Sequence, residues 1–300
     1  MAKGTHTYHL DKYTAYWWIS WGVNLFPKSL AYFMGNFVPD LLFKFSNSGS
    51  VIEEQVRNFG HILGPGVSVK ERRKAVRRLW KMLGRSLVDM FRFEKMSASE
   101  IDALVPEFVG LEHIRGALEK GKGAIILTAH LGHWELGGIL LDHLGFKLNI
   151  VQYLYDSEQQ NKILDKNKEI RGIRVIPADD QVGFAIAVHG ALKRNELVAI
   201  QGDRDLDKSG VVVDFFGSPA SFPKGPALLA MKTGVPLVPA FTIMGGDGRY
   251  YPVAEPEVEL ANTGDTAADL KVNVGKVAGI IEKYVRKYPE QWFNFYYFWE

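Results

Sequence analysis

Short apolar runs alternate with segments of helical periodicity in the second half of the chain, and this alternation limits the possible folds more than any other feature. It begins after Gly123 with the apolar run of residues 124–129, and it ends with a helical segment of about residues 267–287. Strands that alternate with helices need crossover connections, which make the strands parallel and cover both sheet faces. We therefore expect an α/β fold with a mostly parallel, mixed sheet flanked by helices.

Individual elements follow from apolar runs, helical spacing and helix-ending residues. The predicted strands are 124–129, 147–153, 173–176, Leu197–Gln201, 211–216, 236–243 and 250–253. The predicted helices of this half are 134–144, 157–169, 182–193, 226–233 and 267–287. We see no internal repeat and no low-complexity linker, so we expect a single domain over residues 1–300, with a helical N-terminal part (1–120) and an α/β part (121–300).

The N-terminal part is predicted to be a helical, amphipathic layer. We expect two helical segments before Ser46, a loop at residues 46–50 and a helix at Val51–Leu63. Ser68 and Glu71 have the spacing of a capping box, which predicts a further helix from about residue 69 to residue 93. The first turns of that helix are basic, which fits either a solvated face or attraction to anionic lipid headgroups or phosphates.

The first 45 residues are unusually rich in aromatic side chains. These are Tyr8, Tyr13, Tyr16, Trp17, Trp18, Trp21, Phe26, Tyr32, Phe33, Phe37, Phe43 and Phe45. No apolar stretch reaches the roughly 18 residues of a membrane span, and we expect no signal peptide. Aromatic amphipathic helices lie in a bilayer interface or form a layer of the core, and one helix can do both.

Composition excludes some classes of function. The net charge of +2 is too small to suggest a nucleic-acid binder, and the chain has no cysteine for a disulfide or a thiolate. His130 and Glu135 instead provide an acid/base pair directly after the strand 124–129. An imidazole can accept a proton near neutral pH, and a nearby carboxylate can orient it. The spacing is common by chance, so the rest of the chain has to support it.

Further polar groups follow a later predicted strand. Asp203 and Arg204 come after Leu197–Gln201, and the carboxyl ends of strands are where open α/β sheets bind ligands. Asp203 is a second candidate partner for the imidazole, and Arg204 has the fixed donors to hold a phosphate or an oxyanion, although a structural Asp–Arg pair fits equally. Phe216 is a candidate for an apolar slot, and Gly225 at a helix start offers free amides to an anion, although this block taken alone is more often turn and core.

Taken in order, four blocks resemble one family. HLGHWEL, GDRDLDKSGVVVDFFG, FPKGPALLAMKTGVPLVPAF and YPEQWF resemble the bacterial lysophospholipid acyltransferase superfamily, in its lipid A biosynthesis (lauroyl/myristoyl) branch, and the resemblance covers roughly residues 124–292. The resemblance implies one acyltransferase domain that moves a fatty acyl group from an acyl-carrier-protein or coenzyme A thioester to a hydroxyl of a lipid or glycolipid. It also implies a peripheral or interfacial place on the cytoplasmic face of the bacterial inner membrane.

The resemblance also assigns residues. His130 matches the catalytic histidine, Glu135 the carboxylate of the H-x4-D/E motif, and Asp203 an acidic partner seen in a related acyltransferase. We expect substrate contacts from a second set, namely His133, Trp134, Lys168, Arg204, Phe216 and Gly225. We expect no metal, no cofactor beyond the thioester co-substrate and no nucleic-acid partner.

Some residues depart from the family pattern. These departures affect the expected identity of the acyl acceptor more than the expected acyl-transfer reaction. His133 stands where the family usually has Asn, and Lys168 stands where an arginine is common. The N-terminal anchor is weak, and the C-terminal end reads QWFNFYYFW rather than a basic sequence. Two other classes stay open: a metal-dependent hydrolase with His130, His133 and Glu135 as zinc ligands, and a non-catalytic lipid-binding protein.

Overall fold

The architecture is that of a computed structural model, which describes residues 21–23, 25–45, 51–93, 96–154, 161, 168 and 172–299. Several predictions lie outside these residues. They are the loop at 46–50, nearly all of the helix at 157–169, and the aromatic side chains among the first 20 residues.

Eight strands are described. They are β1 (Ala124–Thr128), β2 (Leu148–Gln152), β3 (Arg174–Pro177), β4 (Leu197–Gln201), β5 (Val211–Phe215), β6 (Ser218–Phe222), β7 (Leu237–Met244) and β8 (Tyr250–Ala254). Six form one sheet in the order β3-β2-β4-β1-β7-β8, in which only the β7–β8 pair is antiparallel. β5 and β6 form a separate antiparallel hairpin. The predicted fold class, a mostly parallel mixed sheet flanked by helices, is confirmed.

Helices precede the sheet and cover it. They are α1 (Lys28–Phe45), α2 (Val51–Leu63), α3 (Val69–Arg92), α4 (Ala98–Leu104), α5 (Leu111–Glu119), α6 (Trp134–His143), α7 (Gln181–Lys193), α8 (Gly225–Thr233) and α9 (Thr266–Lys287). The capping box predicted at Ser68 and Glu71 is present at the start of α3. The helix end predicted at Gly234 is confirmed, and this glycine ends α8 in the left-handed conformation.

Two described α-helices and one described strand are absent from the predictions, namely α4, α5 and β6. α4 has seven residues and α5 has nine, so each shows little of the helical period. β6 reads SPASF and includes a proline, which weakens the strand pattern. Phe216 was predicted as the last residue of a strand, but its φ of 55° and that of 73° at Gly217 place both in the turn between β5 and β6.

Parallel pairing of β1 with β4 brings the two predicted site loops together. Thr128, the last residue of β1, pairs with Gln201, the last residue of β4. Because parallel strands end at the same edge of a sheet, the loops that begin at residues 129 and 202 leave this edge side by side. Strand register therefore makes contacts possible between side chains that are far apart in the sequence.

The helical layer packs on the sheet through a buried cluster shared by α2, α3, α6 and β8. Its members include Ile52, Phe59, Val76, Leu79, Leu136, Ile139 and Tyr250. α1 crosses α3 closely, because a Cβ at Gly84 would collide with the carbonyl oxygen of Gly35. The hydroxyl groups of Tyr32 and Tyr250 both donate to the buried carboxylate of Asp89, which joins α1 and β8 to α3.

Candidate active site

His130 and Asp203 form a pair at the ends of β1 and β4, in which Asp203 is buried. The imidazole Nδ1 lies 2.8 Å from Oδ1 of Asp203, and the backbone N–H of His130 donates to Oδ2 at 3.1 Å. Asp203 is fully buried, whereas 17% of the His130 side chain is exposed. The carboxylate therefore holds both the backbone and the ring of one residue, while the ring keeps one edge open to solvent.

Electrostatics keep Asp203 ionised. Burial alone raises the pKa of this carboxyl, but the neighbouring His130, the positive charge of Arg204 and the donated hydrogen bonds outweigh burial and lower the pKa to about 2. A permanent carboxylate beside Nδ1 favours the tautomer in which Nδ1 carries the proton. That tautomer leaves Nε2 as the basic nitrogen, and Nε2 makes no hydrogen bond to any described residue.

The same surroundings depress the basicity of His130 itself. Burial lowers the pKa of the imidazole, and the charge of Arg204 lowers it further, whereas Asp203 and Glu135 raise it. The net direction is below the ordinary value of 6.5. A lowered pKa keeps the imidazole neutral at physiological pH, which is the form that a general base requires.

Glu135, the other candidate partner, lies on α6 and contacts a different group. Its Oε2 is 3.5 Å from the Nζ of Lys168, which is itself buried and donates to Oε1 of Gln152 at 2.8 Å. No hydrogen bond joins Glu135 to His130, although both belong to the described residues. In the structure, Glu135 therefore pairs with Lys168, and the imidazole of His130 pairs with Asp203.

His133 is buried behind the turn. Its Nδ1 accepts the N–H of Leu136 at 3.3 Å and so caps the N-terminus of α6, and its ring packs between Phe93 and Tyr250. Burial lowers its pKa, and its Nε2 is buried without a hydrogen-bond partner. Both ring nitrogens are therefore enclosed, so the structure assigns His133 to the packing of α6, while its predicted contact with substrate remains untested.

An apolar groove that opens to solvent runs between α6 and one face of the sheet. Its lining includes Ile126 and Thr128 of β1, Ile150 of β2, Ala199 of β4 and Ala240 of β7. Alternate residues of a strand point to the same face, so these positions share one side of the sheet. Trp134 and Glu135 also line the groove.

Two glycines of α6 keep this groove open. A Cβ at Gly138 would lie 3.3 Å from Cδ1 of Ile150, and a Cβ at Gly137 would lie 2.8 Å from Oγ1 of Thr242. Both glycines line the groove, and the ring of Trp134 lies 5.3 Å from that of His130. His130 is not among the described lining residues, and Trp134 connects its ring to the groove, whose width depends on the absence of side chains at Gly137 and Gly138.

The remaining predicted residues lie around the Asp203 loop or farther away. Arg204 donates to the carbonyl oxygen of Phe293, and its Nε is buried without a partner. Gly225 begins α8 close to this loop, because a Cβ at Gly202 would lie 3.6 Å from the ring of Pro226. Phe216 packs at the β5–β6 turn beneath the guanidinium of Arg286, and the described lining of the groove does not include it.

The C-terminal segment supplies a contact that the sequence did not predict. Trp292 is buried, and its indole N–H donates to Oδ2 of Asp203 at 3.0 Å. The neighbouring backbone pairs with the histidine loop, since Gly132 N–H donates to the carbonyl of Gln291 and Phe293 N–H donates to that of His130. The many aromatic residues of the segment indicated docking or an interface, but no sequence pattern indicated which carboxylate the indole meets.

A metal site finds no support in the arrangement of these groups. Within the described ranges, no three His, Asp or Glu side chains lie where they could share one ion. His130 and His133 each commit Nδ1 to a contact within the protein, and Glu135 pairs with Lys168. The three residues considered for zinc therefore do not form a ligand set.

Similarity to known proteins adds a separate line of evidence. The model of a family described as bacterial lipid A biosynthesis acyltransferase matches residues 1–300. The chain is 30% identical to a phosphatidylinositol mannoside acyltransferase of Mycobacterium tuberculosis over 192 residues, which are 62% of this chain and 58% of that protein. It is 25% identical to the protein of the same name from Mycolicibacterium smegmatis over 252 residues, which are 80% of this chain and 77% of the relative.

Proposed function

Since this chain belongs to the bacterial lipid A biosynthesis acyltransferase family, we propose that it transfers a fatty acyl group from a thioester of acyl carrier protein or coenzyme A to a hydroxyl of a lipid or glycolipid. The observation that carries the proposal is the His130–Asp203 pair, 2.8 Å apart, whose imidazole ring lies 5.3 Å from the ring of Trp134 in the lining of an apolar groove. A base next to a channel for an acyl chain is what such a transfer requires.

In the proposed reaction, Nε2 of His130 removes the proton from the acceptor hydroxyl while that oxygen attacks the thioester carbonyl carbon. The imidazolium is stabilised by the carboxylate of Asp203. The tetrahedral intermediate then collapses with cleavage of the carbon–sulfur bond, and the imidazolium returns the proton to the thiolate that leaves. The acceptor becomes an ester, a thiol is released, and the protein is unchanged.

The oxyanion of the intermediate needs hydrogen-bond donors, and we propose Arg204 for this role. The backbone N–H groups of His130, Gly132 and His133 already donate to Asp203, Gln291 and Thr242, so these three amides are not free for an oxyanion. Arg204 follows Asp203 directly in the chain, and its positive charge already acts on His130.

The test of this proposal is an acyl-transfer assay with purified protein, acyl-coenzyme A or acyl-carrier-protein donors, and vesicles that contain candidate acceptors. We expect free thiol and an acylated lipid in equal amounts, with the product identified by mass spectrometry. The acceptor panel should include phosphatidylinositol mannosides, which the names of the relatives suggest, and lipid A precursors, which the family description suggests. Thiol release without an acylated lipid would contradict transfer.

Replacing Gly138 with a larger residue is expected to shorten the longest acyl chain that the protein accepts. Leu at this position would occupy groove volume next to Ile150, and each methylene that no longer fits loses about 0.8 kcal/mol. For Gly138→Leu, we expect kcat/KM with a long donor to fall by more than about tenfold, while short donors react nearly as before.

The measurement is a series of donors of increasing chain length. The matched control is Gly279→Leu, the same change at an exposed position of α9 where a new Cβ meets nothing within 4 Å. An unchanged chain-length profile for Gly138→Leu would show that the groove does not hold the acyl chain.

We further propose that α1 lies in the bilayer interface on the cytoplasmic face of the inner membrane. Its outer face exposes large apolar side chains. The rings of Phe33 and Phe37 stack on each other, and these two residues are 61% and 51% exposed. Basic residues of the neighbouring helix α3 favour an anionic surface. No described helix is long and apolar enough to cross a membrane.

Polar replacement of this pair is expected to weaken binding to vesicles. The double variant Phe33→Ser/Phe37→Ser removes two aromatic anchors, so we expect at least a tenfold lower partition coefficient on anionic vesicles in a sedimentation assay. The control is Val182→Ser/Ile186→Ser on α7, where the side chains are 71% and 69% exposed. Equal losses in both variants would mean that α1 is not the membrane-binding face.

A further inference from the structure

The carboxylate of Asp203 is held by three separate donors, and they are divided between its two oxygens. Oδ1 contacts Nδ1 of the His130 ring at 2.8 Å. Oδ2 accepts both the backbone N–H of His130 at 3.1 Å and the indole N–H of Trp292 at 3.0 Å. Because two donors converge on Oδ2, the carboxylate cannot rotate without losing a hydrogen bond in a fully buried site.

The segment that carries Trp292 is itself fixed to the histidine loop. Residue 292 forms an antiparallel bridge with Leu131, while Gly132 bridges Thr242 on the other side. The side-chain amide of Gln291 binds both the N–H and the carbonyl of Met244, at 2.9 and 2.8 Å. The histidine loop is therefore enclosed between β7 and the C-terminal segment.

We propose that Trp292 is a positioning residue for acyl transfer: its indole N–H fixes the carboxylate of Asp203, which in turn fixes the ring and the tautomer of His130. This role rests on the proposed function. It makes residues 291–293 part of the site, although they are 159 or more positions beyond the histidine loop residues 130–132 they pair with. Trp292 acts through Asp203 and need not touch the substrate.

The test compares Trp292→Phe with Trp299→Phe. The two tryptophans lie in the same segment, and Trp299 also donates an indole hydrogen bond, to the carbonyl of Phe215 at 3.0 Å, away from Asp203. Loss of a hydrogen bond to a charged group predicts a fall in kcat of about ten- to a hundredfold for Trp292→Phe, with KM within about twofold. Trp299→Phe should keep kcat within about threefold, because its bond is to a neutral group.

Two further readouts separate positioning from a merely structural role. The Nδ1–H proton of His130 should shift in the NMR spectrum of Trp292→Phe and not in that of Trp299→Phe. In an Asp203→Asn background, Trp292→Phe should cause little further loss of kcat, since its partner is already changed. If phenylalanine impairs folding, 3-benzothienylalanine at position 292 keeps the two-ring shape and lacks the N–H.

Wild-type kcat and an unshifted Nδ1–H resonance in Trp292→Phe would overturn the proposal. An equal loss of kcat in the wild-type and Asp203→Asn backgrounds would also overturn it, because the effect would then not pass through Asp203. If the wild-type protein shows no acyl transfer, the proposed function fails, and the NMR comparison alone still decides whether Trp292 positions the pair.

Discussion

His130→Ala is expected to lower the rate of acyl transfer by about 10²–10⁴-fold, the usual contribution of a general base. The reason is that Nε2 of this ring is the basic nitrogen, since Nδ1 contacts Asp203. His133, the nearest alternative in sequence, is enclosed at the start of α6. The measurement is kcat for thiol release with saturating donor and acceptor.

The dependence on pH provides a second signature of His130. Burial and Arg204 lower the pKa of this imidazole below 6.5, and the base acts only when it is neutral. The wild-type kcat/KM should therefore be level at neutral pH and fall as the pH drops through a pKa below 6.5. In His130→Ala, kcat/KM should be lower and should no longer fall at acidic pH. An unchanged kcat/KM with an unchanged pH dependence would show that His130 is not the base.

Asp203→Asn is expected to be almost as damaging, with a loss of about 10²–10⁴-fold in kcat. The N–H groups of His130 and Trp292 both point at Oδ2, so an asparagine must place its carbonyl oxygen there. Its amide then faces Nδ1, which has to become the acceptor, and the proton moves to Nε2. The base is thereby held in the wrong tautomer, although the shape of the site is kept.

Comparison with Glu135→Gln decides between the two carboxylates. Glu135 pairs with Lys168 at 3.5 Å and not with the imidazole, so we expect its loss to reduce kcat by less than about tenfold. Melting temperatures of both variants control for folding. A larger loss of kcat in Glu135→Gln than in Asp203→Asn would show that the H-x4-E carboxylate is the partner of His130 during the reaction.

The pH dependence of Asp203→Asn activity is expected to shift in a defined direction. Asp203 has a pKa of about 2, so it stays ionised throughout an assay between pH 4 and 9 and contributes no limb of its own there. Its negative charge raises the pKa of His130, opposing burial and Arg204. The residual activity of Asp203→Asn should therefore have its acid limb at lower pH than the wild type.

Much of the fold was predictable because its signals are local. The strand β1 is a continuous apolar run, and α3 begins with the capping box at Ser68 and Glu71. The hairpin strand β6 was missed because five residues with a proline carry too little periodicity, and Phe216 was misplaced because nothing in the sequence shows that its φ is positive.

The sequence by itself determined the α/β class, the family resemblance and His130 as the candidate base, since these depend on residue order and on spacing within one element. Only the tertiary structure decided which carboxylate meets the ring. Glu135 is five positions away, yet Asp203, 73 positions away, makes the contact because the parallel register of β1 and β4 aligns their ends. Trp292 reaches the same carboxylate through a backbone bridge to Leu131. Such contacts depend on how separate strands are arranged in space, which local spacing does not encode.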